Sequence, residues 1–151
     1  MEFKKVLIVR FSSIGDIVLT TPVIRCFKKK YPLCEIHYIT KNKFKLLLEN
    51  NPYITKVIGI DTSVKEVMKE LRKEKYDLII DLHKNLRTTR LKAELRRKSV
   101  SLNKINYSKW LVVKFKINRL PAVHIVDRYM ATVKRFGVKN DGRGLNYFMP
   151  K

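Results

Sequence analysis

Lys5-Val6-Leu7-Ile8-Val9-Arg10, running straight into Phe11-Ser12-Ser13-Ile14-Gly15-Asp16, decides how the rest of the chain is read. Four consecutive apolar residues between charged ends fit a strand buried on both faces, the pattern of a parallel sheet rather than a half-solvated antiparallel one. Three further runs read the same way: Glu35-Ile36-His37-Tyr38-Ile39-Thr40, Lys56-Val57-Ile58-Gly59-Ile60 and Tyr76-Asp77-Leu78-Ile79-Ile80-Asp81. A shorter fifth strand is expected at Ser99-Val100-Ser101-Leu102. Helical signals lie between them. Val64, Val67, Met68 and Leu71 are spaced i, i+3, i+4, i+7 behind a Ser63-to-Glu66 capping box. Phe44, Leu47 and Leu48 mark another helix, Arg87 to Arg97 a basic one, and Val126, Tyr129, Met130 and Val133 a last stripe stopping at Gly137. Residues 107–117 are ambiguous and lean towards helix. Strand and helix alternating five times predict one α/β domain over 1–151, a Rossmann-like doubly wound, mostly parallel sheet.

Pro22 complicates the first helix, because it lacks an N–H and clashes with the preceding turn. Either a first turn starts at Asp16 and distorts, or the regular helix begins with Thr21 as cap and Pro22 at its first position. In both cases residues 12–16 form the turn between strand and helix.

In doubly wound sheets ligands bind beyond the carboxyl ends of the strands. Ser12, Ser13, Gly15, Asp16, Lys41, Asp61 and the run Asp81-Leu82-His83-Lys84-Asn85-Leu86-Arg87-Thr88 fall there. The first turn is neither a GxxxxGK nor a GxGxxG loop. It still offers two hydroxyls, a glycine and an acid at a helix N-terminus, where acidic groups are favoured. On turn mechanics alone, Asp16 is a cap and the serines are turn formers. In the second turn Asn85 or Thr88 can serve as caps, and His83 can be a satisfied loop residue. The clustering of His83, Lys84, Asn85, Arg87 and Arg90 favours an anionic, polyhydroxylated ligand. His124, Asp127 and Arg128 share one turn further on, but no second His or Cys stands at metal-ligand spacing. Cys26 and Cys34 make no CxxC pair and fit a reduced compartment.

The charge is uneven. Of 34 basic and 13 acidic residues, 82–151 holds 18 and three, a net of +15 in a total of +21. Such a field attracts polyanions, whether nucleic acid, anionic head groups or a phosphorylated substrate. No apolar run reaches the roughly 20 residues of a membrane span, and no signal-peptide cleavage site follows the N-terminus. The basic residues are not interleaved with aromatics as a nucleic-acid stacking platform needs, and no helix-turn-helix is present.

From Val6 to Asp16 and on through Ile17-Val18-Leu19-Thr20-Thr21-Pro22, the chain resembles the N-terminal signature of the lipopolysaccharide heptosyltransferases, glycosyltransferase family 9. The stretches from Tyr76 to Arg87 and Asp127-Arg128-Tyr129 are similar in the same order. The tail Gly144-Leu145-Asn146-Tyr147-Phe148-Met149-Pro150 resembles the passage into that family's second domain. The resemblance implies the N-terminal half of a glycosyltransferase B-type fold, with the acceptor bound here and the donor, ADP-heptose, held mainly by a C-terminal domain absent from this chain. It implies that Asp16 is the general base of an inverting transfer, with no metal or other cofactor. Ser12, Ser13, Gly15, Lys41, His83, Lys84, Asn85, Arg87, Arg90 and Arg128 are then candidate contacts to an anionic, lipid-linked sugar. The expected location is cytoplasmic, peripheral to the inner face of the bacterial inner membrane. Rival expectations are a related enzyme using another nucleotide sugar, a basic nucleic-acid-binding domain, and a non-catalytic domain.

Overall fold

The computed structural model describes residues 2–102 and 122–146. The ambiguous segment 107–117 and the tail from Tyr147 lie outside them. Strands β1 (Lys5–Val9), β2 (Glu35–Lys41), β3 (Lys56–Ile60), β4 (Leu78–Asp81) and β5 (Ser99–Ser101) form one sheet in the order β3-β2-β1-β4-β5. All four pairings are parallel, which sharpens the expected mostly parallel sheet.

The period of two along each strand sends alternate side chains to opposite faces, and both faces are covered. Val6, Ile8, Ile36, Tyr38, Leu78 and Ile80 share one core with Val23, Ile24 and Phe27 of α2 (Thr21–Lys30) and Val126, Tyr129 and Met130 of α5 (Ala122–Ala131). Leu7, Val9, Ile39, Ile58, Ile60 and Ile79 share the other with Met68 and Leu71 of α3 (Met68–Glu74) and Leu91 and Leu95 of α4 (Leu86–Leu95). Burying each such side chain is worth about 1.5–3 kcal/mol, so the sheet's apolar runs dominate stability.

Three expected elements differ. Residues 12–16 are not all turn: α1 (Ile14–Leu19) begins inside them, with Ser13 as its extended N-cap and Asp16 in its first turn. The helix ends at Thr20 and α2 starts at Thr21, with Thr20 as its N-cap. Pro22 is the cause. A continuous helix would need its missing N–H to reach the Val18 carbonyl. Instead the Thr21 hydroxyl donates to that carbonyl (2.7 Å), and Thr20 donates to Ile17 (2.6 Å) and bonds the buried Tyr38 hydroxyl (2.8 Å). Phe44 and Leu47 lie on a 3-10 segment, Asn42–Leu47, rather than an α-helix. The Ser63–Glu66 capping box opens a 3-10 turn, Val64–Glu66, before α3 begins. At Gly59 a Cβ would lie 1.8 Å from Asn42 Oδ1 and 2.6 Å from Lys45 Cδ, so a larger residue there would displace both side chains.

Candidate functional site

In this strand order β1 turns towards β2 on one side and towards β4 on the other, so the topological switch lies between β1 and β4. The two turns leaving those strands interlock there. The Leu82 N–H donates to Val9 O (3.0 Å), and the Phe11 N–H donates to His83 Nδ1 (3.1 Å). On the β2 side, Phe11 O accepts from the Lys41 N–H (3.2 Å) and the Thr40 hydroxyl (3.1 Å).

Asp16 sits at this junction. Its Oδ2 accepts the Ser13 hydroxyl (3.0 Å), faces the Ser13 N–H (3.4 Å) and lies 3.1 Å from Arg10 Nη2. All these contacts fall on one oxygen. Oδ1 accepts no hydrogen bond among the described residues, on a half-buried side chain. Ser13, not Asp16, is the N-cap of α1, and Asp16, at the third helical position, completes a capping box by accepting the Ser13 N–H. Gly15 has ordinary negative φ, so glycine is not demanded by the backbone as a relaxed turn. A Cβ there would meet nothing, and its absence keeps the space before α1 open.

The second turn is built on Asp81, fully buried at the end of β4. Its Oδ1 accepts the His83 and Lys84 N–H groups (3.0 and 2.8 Å), and its Oδ2 lies 2.9 Å from Lys92 Nζ. That anchor bends the chain so that Lys84 takes positive φ, 57°. Because His83 Nδ1 accepts a backbone proton, the neutral ring carries its own proton on Nε2. Burial, helped by the charge of Arg10, pushes the imidazole down to about 4. His83 thus stands at the junction as a neutral hydrogen-bond donor.

Of the expected ligand contacts, Ser12, Ser13, Gly15, Asp16 and His83 come together at the switch, with Lys41 at the neighbouring strand end and Lys84 in the turn. Asn85 is the N-cap of α4: its Oδ1 accepts the Thr88 N–H (3.0 Å) and the Thr88 hydroxyl donates to its carbonyl (2.9 Å). Its side-chain oxygen is committed to the helix. Arg87 is exposed on the first turn of α4. Arg90 points along the helix to Glu94 (3.4 Å), an exposed i,i+4 pair. Arg128 lines a separate cavity of about 340 Å³ with Ser101, Thr132 and Arg135. Among the described residues no group of three His, Cys, Asp or Glu lies together as a metal site requires. Two central residues, Arg10 and Asp81, were not singled out as ligand contacts. Their signal was a charged residue closing each central strand, where a buried run meets the crevice.

Fold and junction define a Rossmann-type α/β domain open at its switch point. No family model matches the chain. Lipopolysaccharide heptosyltransferase 1 of Campylobacter coli is 28% identical over 66% of this chain and 31% of its own length. The glycosyltransferase family 9 structure from Veillonella parvula superposes with a TM-score of 0.76 at 22% identity, covering all of this chain and 47% of that one. The Escherichia coli heptosyltransferase WaaC, solved with ADP-2-deoxy-2-fluoro heptose, gives 0.64 at 20% identity over 95% of this chain and 51% of that one. The chain spans between 23% and 41% of the curated relatives it matches. The chain is thus similar to curated lipopolysaccharide heptosyltransferases over a fragment of their length.

Proposed function

We propose that this chain is the acceptor-binding part of an inverting heptosyltransferase that transfers heptose from ADP-heptose to the lipopolysaccharide inner core. Asp16 is its general base. The observation that carries the proposal is the one-sided tethering of Asp16: Oδ2 is fixed by Ser13 and Arg10 while Oδ1 is left for an incoming hydroxyl. In the transfer, the acceptor oxygen attacks the anomeric carbon and its proton passes to Oδ1. The bond from that carbon to the departing diphosphate breaks, and ADP leaves with the electron pair. Positioned proton removal contributes typically 10²–10⁴-fold. His83, held neutral, donates from Nε2 to a sugar hydroxyl or carboxylate. No residue is given a metal. The donor is held mainly by a partner domain, and the enzyme works in the cytoplasm at the inner membrane, where the basic half of the chain meets an anionic acceptor and bilayer.

Binding is testable on this chain alone. Titrating an inner-core sugar-acid fragment into the labelled protein should shift the amides of residues 12–16 and 82–87, while ADP-heptose shifts them little. ADP-heptose saturating that junction, with no response to the acceptor fragment, would reverse the assignment of halves.

A further inference from the structure

Arg10 is one residue past β1, and its backbone N–H still donates to Ile39 O of β2 (3.2 Å), so its Cα is fixed by the sheet. From that base its side chain, only 13% exposed, spreads three donors to three separate pieces of chain. Nε donates to Ser12 O in the turn after β1 (2.7 Å), and Nη1 to Leu82 O in the turn after β4 (3.0 Å). Nη2 lies 3.1 Å from Asp16 Oδ2 in the first turn of α1. These partners are two, six and 72 residues away, and the planar fork of a guanidinium reaches all of them in one fixed geometry.

We infer that Arg10 is the positioning residue of the site: it clamps the two crevice turns together and dictates which oxygen of Asp16 faces the acceptor. This rests on Asp16 acting as the base. Arg10 itself touches no substrate. It acts by occupying Oδ2 from the strand side while Ser13 occupies it from the helix side, so that the carboxylate cannot rotate to present the wrong edge. An ammonium in its place keeps the charge but lacks the fork, and can satisfy one of the three partners well but not all. The electrostatic effect of Arg10 on His83 survives that exchange, while the geometry does not.

The experiment is a double-mutant cycle of Arg10→Lys and Asp16→Asn in the enzyme with its donor-binding half present, reading kcat, acceptor KM and melting temperature. Arg10→Lys should lower kcat by about 10–10²-fold, the scale of a misplaced catalytic group, with acceptor KM little changed and a melting temperature that falls because clamped carbonyls lose their donor. The double variant should be no slower than Asp16→Asn alone. Undiminished kcat in Arg10→Lys beside a crippled Asp16→Asn would overturn the positioning role and spare the base, as would losses that multiply in the double variant. A near-normal Asp16→Asn would instead remove the base, and the role of Arg10 with it. Should Arg10→Lys fold poorly, NMR of the wild-type chain decides. The Arg10 Nη2 protons should show hindered rotation that Asp16→Ala relieves, and a freely rotating guanidinium in the wild-type chain would overturn the inference.

Discussion

His83 and Asp16 face one junction with opposite demands, a ring kept neutral and a carboxylate kept pointed. The His83 pKa near 4 lies below its ordinary value, so the folded state resists protonation that the unfolded state accepts. Stability linked to His83 is therefore complete above about 6.5 and is lost as pH falls from there towards 4. NMR titration should place the midpoint near 4, and His83→Gln should flatten the stability profile across that window. A midpoint near 6.5 would mean an exposed ring. Glu66 shifts the same way for another reason: it accepts the N–H groups of Asp61, Thr62 and Ser63 and falls to about 2. Its support for the turn before α3 should fade between about 4.5 and 2, and Glu66→Gln should remove that dependence. Asp16 and His83 were visible in the sequence because they stand beside recognisable strand ends. Arg10 was not, since its meaning depends on Ser12, Asp16 and Leu82 being brought together by folding.

At the scale of elements, the strands were the most legible part, because continuous apolar runs between charged ends have few other uses. β3 falls where the run from Lys56 to Ile60 predicts, and β1 stops one residue short of Arg10, whose side chain turns to the crevice. Ile8, fully buried, should cost about 2–5 kcal/mol on truncation to alanine. Leu33, 94% exposed, should change stability by less than about 0.5 kcal/mol. Chemical denaturation of the two variants checks the contrast, and equal effects would contradict the placement of the core. The helix starts were harder to read. Pro22 announced an interruption but not its site, which depends on Thr20 and Thr21 hydroxyls taking the carbonyls that a continuous helix would have used. The segment behind Lys41 holds apolar residues at helical spacing, yet it folds as a 3-10 segment whose Asn42 and Lys45 side chains lie against Gly59 of β3.

For the whole molecule, charge and architecture point to one use. The chain's +21, weighted to its second half, predicts binding to anionic vesicles that weakens steeply with salt, since exposed cations are screened beyond about 10 Å at 0.1 M. A co-sedimentation series over ionic strength reads this directly, and tighter binding to duplex DNA than to vesicles would favour the nucleic-acid rival. The C-terminal segment is fastened as well: buried Arg25 grips Asp141 through two bonds (2.9 and 2.7 Å), and Asn146 N–H donates to the Thr21 hydroxyl (2.9 Å). The chain after the last helix is thereby tied to the start of α2, a few residues from Asp16. The central claim is that Asp16 removes the acceptor's proton, and one variant tests it. Asp16→Asn keeps the shape and an oxygen for Ser13 and Arg10, so the fold should persist, while the largely buried Arg10 loses its counter-charge and the melting temperature should fall modestly. With the donor-binding half present, turnover should fall by about 10²-fold or more while acceptor affinity is retained. Turnover close to that of the unaltered enzyme would contradict the account.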